Sequence, residues 1–350
     1  MLKAYKKAKS IKQIRACFPA LAYSDISYLD NAASTQTVDS SIKAVSDYHY
    51  NYRANVHRGD FKTSHIATDL YDEARNEVAR LLNCEPYEIA FTSGTTESLN
   101  MIAEHYANDD RKVIITHLEH HSNSLPWMKQ GRNTDNGGLL VCKATDVGDV
   151  SMQDWEEICS ENPGSIVSFL TQSNLSGHML KWNQMVHIAK EHDCEVILDA
   201  CQSIAHQPID TKMNNIDWIA FSGHKMCGPT GIGVLWGRLD LLEKMPPFLG
   251  GGEMILNVTS DGFSTNEVPW KFEAGTPPIA EIIGLGVAIS YLEKIGMEAI
   301  REHEQNLTSY ALDLLTDRFE DDLTIYGPEA ALDRSGVISF SYRDIHPHDI

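Results

Sequence analysis

Trp218-Ile-Ala-Phe-Ser-Gly-His-Lys225 is the stretch on which the fold turns. Its four apolar residues read as a short strand buried on both faces, and Ser222, Gly223 and His224 then turn the chain out of it. A glycine-rich, apolar stretch, residues 227–236, follows, so Lys225 is delivered to the end of a buried strand. Burial there would disfavour an ammonium and favour a free amine, a nucleophile toward an aldehyde. A lysine that merely snorkels to solvent from a strand end gives the same local pattern.

The strand-and-turn pattern recurs along the chain. Apolar runs predict strands near residues 88–92, 112–116, 139–142, 166–170, 195–199, 217–221 and 232–236, alternating with helical stretches near 66–83, 96–107, 151–160 and 181–192. Alternation of this kind predicts an α/β fold with a mostly parallel sheet between helices. Residues 250–277 read as a long glycine-bearing connection and 278–292 as a helix. Beyond it, 297–319 reads as a helix, with strands at 323–326 and 337–341.

Three of the predicted strands end on residues with chemical uses. Asp199 closes the run Glu195-Val-Ile-Leu-Asp199, so its carboxylate faces the crevice where open α/β sheets bind ligands and could pair with a pyridinium nitrogen. Read alone, an aspartate after a hydrophobic strand is more often a helix cap. Ser93-Gly-Thr-Thr96 leads from a strand into a helix and offers free N–H groups and two hydroxyls to a phosphate, although Thr95 or Thr96 as an ordinary cap explains the same residues. Glu119-His-His-Ser-Asn123 follows a third strand. Adjacent histidines invite a zinc reading, but no CxxC or HExxH is present, so no metal is expected and His120 fits better stacked on a flat ring.

These stretches, together with Tyr28-Leu-Asp-Asn-Ala-Ala-Ser34, Val56-His-Arg-Gly59, Asp199-Ala-Cys-Gln202, Gly228-Pro-Thr-Gly-Ile-Gly233, Gly250-Gly-Gly-Glu-Met254 and Phe272-Glu-Ala-Gly-Thr-Pro277, carry a global resemblance. The chain resembles fold-type I pyridoxal-phosphate enzymes of the class V aminotransferase superfamily. Within it the match is to the group II, SUF-type cysteine desulfurases and the related selenocysteine lyases. The resemblance implies a cofactor-binding large domain with a seven-stranded sheet over residues 24–295. A smaller α+β domain would be built from residues 1–23 and an incomplete 296–350.

It further implies that Lys225 holds pyridoxal 5'-phosphate and later carries the substrate's α-proton. Asp199 would pair with the ring nitrogen, Gln202 with the ring hydroxyl, and His120 would stack on the ring. Thr95, Thr96, Ser222 and His224 would hold the phosphate, joined by Thr276 from the other subunit of a homodimer. Asn174 would lie on the substrate side, and His57 near the substrate from the dimer interface. L-cysteine or L-selenocysteine would be the substrate, and a sulfur-acceptor protein serving iron–sulfur cluster assembly the partner.

Family members carry a further loop, Arg-x-Gly-His-His-Cys followed by a second arginine, which supplies the sulfur-accepting cysteine and grips the substrate carboxylate. These 350 residues contain neither, so the chain reads as C-terminally truncated and is expected to bind cofactor weakly or not at all and to transfer no sulfur. Cys201 and Cys227 stand near cofactor residues, behind or beneath the ring, where a buried thiol is usually inert packing. Another class V activity (aminotransferase, epimerase or β-lyase) stays open because His178 stands where desulfurases carry a threonine. So does a dimerising fragment without catalysis.

Composition sets the remaining bounds. A 350-residue chain that is 42% hydrophobic can bury one large core and a smaller one. A net charge of −20 disfavours nucleic acid and anionic membranes, and no apolar run approaches the ~20 residues of a membrane span. Seven scattered cysteines do not form a disulfide framework, so reduced thiols and a cytoplasmic location are expected. Lys3, Lys6, Lys7 and Lys9 read as a solvated helix start without the apolar core of a secretion signal.

Overall fold

The computed structural model describes residues 10–22 and 27–350; the lysine-rich start and Tyr23 lie outside the described residues. One sheet is built from β1 (Ile89–Thr92), β2 (Val113–Thr116), β3 (Leu139–Cys142), β4 (Ile166–Leu170), β5 (Glu195–Asp199), β6 (Trp218–Ser222) and β7 (Gly233–Gly237), in the spatial order β1-β7-β6-β5-β4-β2-β3. The pairings β2–β3, β2–β4, β4–β5 and β5–β6 are parallel, whereas β7 runs antiparallel to both of its neighbours. The mostly parallel seven-stranded expectation therefore stands, with starts and ends within about a residue of the apolar runs.

Every residue of β1, β2, β4, β6 and β7 is buried, which is why these strands read as continuous apolar runs rather than alternating ones. Helices cover the sheet. The chain runs through α1 (Ile11–Arg15), α2 (Pro19–Ala22), α3 (Asp39–Asn51), α4 (Lys62–Leu82), α5 (Thr95–His105), α6 (His121–Lys129), α7 (Met152–Glu161), α8 (Trp182–Glu191), α9 (Thr211–Asn214), α10 (Leu239–Lys244), α11 (Ile279–Ile295) and α12 (Met297–Phe319). α11 is apolar nearly all round and is packed between α3 and α4, the place for a helix with no polar face to give to water.

Besides the short helices α1, α2, α9 and α10, two longer helices and a hairpin escape the apolar periodicity. α3 buries only Ser41 and Tyr48, so it has no apolar stripe to read, and α6 contains Pro126, which reads as a breaker. Residues 250–277, expected as a connection, carry the hairpin β8 (Ile255–Thr259) and β9 (Gly262–Thr265), largely exposed. After α12 come β10 (Leu323–Tyr326) and β11 (Ser339–Tyr342), paired antiparallel; β11 begins two residues later than the sequence pattern suggested. Among the described residues no helix is long and apolar enough to cross a membrane.

Candidate active site

The ends of β4, β5 and β6, the β2–α6 turn and the start of α5 converge on a cavity of about 470 Å³. Its lining includes Thr95, Thr96, His120, Asn174, Asp199, Gln202, Ser222, His224 and Lys225. Nine of the eleven expected site residues are thus brought together. Thr276 is exposed and His57 lies elsewhere, its ring edge-on to Tyr71 and its Nε2 4.0 Å from Asp72. This single chain does not bring those two to the cavity.

Two local geometries decide between the readings left open by sequence. Asp199 caps no helix, because the chain continues as turns through residues 201–206 and Oδ1 accepts the Cys201 N–H at 3.0 Å. The N-cap of α5 is Gly94, which brings no side-chain acceptor. Thr95 does not cap either: its hydroxyl lies 2.7 Å from Ser222 Oγ, and its N–H donates to the same oxygen at 2.8 Å. The start of α5 therefore keeps a positive dipole end ringed by hydroxyls. Gly233 makes the arrangement possible, since a Cβ there would come 2.4 Å from the Gly94 Cα, and only a bare backbone lets β7 pass this turn.

Lys225 ends the 3-10 turn that follows β6 and is half-buried beside Asp199 in the lining. Burial pushes the Asp199 carboxyl up to about 6, against the Cys201 N–H and the Lys225 charge, which pull it down. His120 is the N-cap of α6, where its Nδ1 accepts the Ser122 N–H at 3.1 Å and so leaves the proton on Nε2. Burial, Lys225 and His121 all lower its pKa, keeping the ring neutral. Gln202 Nε2 donates to Ala32 O at 2.8 Å, and the Thr35 N–H and hydroxyl both donate to His224 O, tying the 28–35 segment against the cavity.

Several lining residues carried no role in the sequence reading, namely Asp30, Ala32, Ala33, Ser122 and Gln172, and Cys201, read there as inert packing, also lines the cavity. All but Gln172 sit in quoted motifs, and Gln172 could have been found as the polar residue two positions past β4. Its Oε1 is buried without a partner among the described residues. Burial pushes the Cys201 thiol up and the Cys227 thiol up to about 11, so neither is an activated nucleophile.

Glu119 was also missed. Its carboxyl joins the His120 turn to β4: Thr116 Oγ1 and Asn123 Nδ2 each lie 2.6 Å from it, and the Leu170 N–H donates at 2.9 Å. Among the described residues, no three His, Cys, Asp or Glu side chains converge as metal ligands.

The family model described as Aminotransferase class-V matches residues 27–350. A probable cysteine desulfurase of Streptomyces coelicolor is 44% identical over 332 residues, 92% of this chain and 78% of that protein. A cysteine desulfurase of Haloferax volcanii is 38% identical over 329 residues, 92% of this chain and 76% of that protein. Among solved structures, the apo cysteine desulfurase of Thermococcus onnurineus NA1 superposes with a TM-score of 0.90 at 34% identity, covering 98% of this chain and 85% of that one. The cysteine desulfurase CsdA of Escherichia coli gives 0.85 at 32% identity, with coverage of 98% and 85%.

Proposed function

Because the chain belongs to the class-V aminotransferase family and, within it, to the cysteine desulfurases, we propose that it uses pyridoxal 5'-phosphate to release sulfur from L-cysteine, the sulfur passing as a persulfide to an acceptor thiol other than the unactivated Cys201 and Cys227, with L-alanine as the other product. The observation that carries the reading is a half-buried lysine and a buried carboxylate in one cavity with a helix N-terminus whose N-cap, Gly94, has no side chain and whose first turn is ringed by hydroxyls. That donor set fits a molecule with an aldehyde, a basic ring nitrogen and a phosphate. Asp199 supplies the anion for the ring nitrogen, and Thr95, Thr96, Ser222 and His224 hold the phosphate.

Bound there, the cofactor would supply a carbonyl for the substrate amine and a ring that withdraws electrons from the α-carbon. Lys225 holds it and moves the α-proton; Gln202 takes the ring hydroxyl; His120, neutral, covers the ring face. Asn174 faces the substrate. Thr276 and His57 would come from a second copy of the chain, and this reading includes a homodimer. It also includes a sulfur-acceptor protein in iron–sulfur cluster or other sulfur-transfer pathways, a cytoplasmic location, and a division into a cofactor domain at 24–295 and a smaller domain from 1–23 and 296–350.

Borohydride reduction of the cofactor-supplied chain, followed by peptide mass spectrometry, tests the assignment. The label is expected on Lys225 and absent from K225A. Alanine, sulfide and keto acids formed from L-cysteine are then assayed separately; an unlabelled Lys225, or keto acid as the main product, overturns the reading.

A further inference from the structure

Arg334 is fully buried, yet it makes no ion pair among the described residues. Its Nη1 donates to Pro328 O at 2.8 Å, and its Nη2 reaches Ser176 O at 3.0 Å, Tyr326 O at 3.1 Å and Val337 O at 2.8 Å. Nε finds no acceptor among the described residues. A guanidinium kept from water with only carbonyl dipoles for company is costly, and an apolar side chain would fill the space without that cost. What the charge achieves is to gather carbonyls from the β10 end, the approach to β11 and the 171–180 loop.

That loop enters the cavity. Asn174 lines it, and Ser173 Oγ accepts the N–H groups of Leu175 and Ser176 to fold the turn beneath Asn174. The far side of the turn is held by backbone from residues 327–339, and His178 Nε2 adds a contact to Asp149 Oδ1 at 3.2 Å. The Met179 N–H donates to Asp333 O and the Ser335 N–H to Gly177 O, at 2.9 and 2.8 Å, and Ser339 Oγ donates to Leu175 O. Backbones meet directly here: Gly177 has φ +72°, and a Cβ on it would lie 2.6 Å from Val337 O. The cofactor-phosphate residues Thr95 and Ser222 bond to each other and take no part in this seam.

We propose that Arg334 is a positioning residue for the amino-acid side of the cavity, latching the 326–337 segment onto the turn that carries Asn174. The inference rests on the desulfurase reading only for the identity of the amino acid. Losing the latch loosens Asn174 and leaves the phosphate cradle intact.

The test uses the 350-residue chain as R334M and R334K, the second keeping a charge and part of the donor set where the first lowers soluble yield. Hydrogen exchange of the cofactor-free proteins is expected to rise at least about tenfold in peptides covering 171–180 and to stay unchanged in those covering 93–98 and 222–225. In the cofactor-loaded proteins, spectral titration should show the half-saturating L-cysteine concentration rising about tenfold, with the affinity for pyridoxal phosphate moved less than about twofold. Unchanged exchange at 171–180 overturns the proposal, as does exchange that rises equally in all three regions. A loosened loop with unmoved L-cysteine binding also overturns it. If the loaded parent chain gives no response to L-cysteine, the desulfurase reading fails, and the exchange pattern alone decides the latch.

Discussion

Replacing Glu119 by glutamine should remove a specific part of this protein's pH dependence. Burial pushes the Glu119 carboxyl up from an ordinary 4.5 to about 8; donors from Thr116, Asn123 and Leu170 oppose the rise and Asp199 adds to it. Between those two values the folded chain holds a proton that the unfolded chain has released. The contribution to stability is therefore full below pH 4.5 and is lost as pH rises through about 8. A shift of that size sets a ceiling of about 5 kcal/mol, and residual solvent access with an effective dielectric near 20 leaves about 2 kcal/mol. Glutamine has the shape of the protonated acid. Its amide oxygen can accept from Asn123 and Leu170, and its nitrogen can donate to Thr116 Oγ1, a hydroxyl that already accepts the Leu118 N–H. Urea unfolding of the cofactor-free chain between pH 5 and 8.5 should show E119Q gaining about 2 kcal/mol on the parent as pH rises. Parallel stability curves across that range would refute the reasoning.

Two further outcomes follow from the packing. G233A should lower stability by about 1–3 kcal/mol in thermal melts and weaken phosphate binding with it, since the new methyl meets backbone at 2.4 Å and only the α5 turn can give way. E273A should cost about 3–5 kcal/mol in denaturant unfolding, because Glu273 takes hydrogen bonds from Arg75, the Tyr71 hydroxyl and the Phe91 N–H, and its loss leaves the buried Arg75 charge unpaired; a loss below about 1 kcal/mol would show the ion pair to be dispensable.

The sheet was legible because its strands are buried on both faces and so declare themselves as apolar runs ending in turn residues. The same rule made the site legible: Lys225, Asp199 and Thr95 are conspicuous because each follows such a run. Glu119 and Gln172 stand beside these landmarks but act through contacts that cross between strands, as in the Glu119 bond to the Leu170 N–H, and spacing along one segment carries no record of them. Arg334 is harder still. On a sequence an arginine reads as surface, and only the fold reveals four carbonyls from three segments closing over it.

Two supports for one cavity follow from this. The side proposed to seat the cofactor is built on the sheet itself, through β6 to α5 by Ser222 and Thr95 and through β5 by Asp199, all parts of one layer whose disturbance costs core packing. The amino-acid side hangs on the 171–180 loop, whose outer face is backed by the chain after α12. On the proposed reading, a change in residues 327–339 would therefore alter what the cavity does to an amino acid without altering what holds the cofactor. The reverse separation would not be open to changes at Asp199 or Ser222, because on this reading the substrate binds only against a cofactor that those residues would first have to seat.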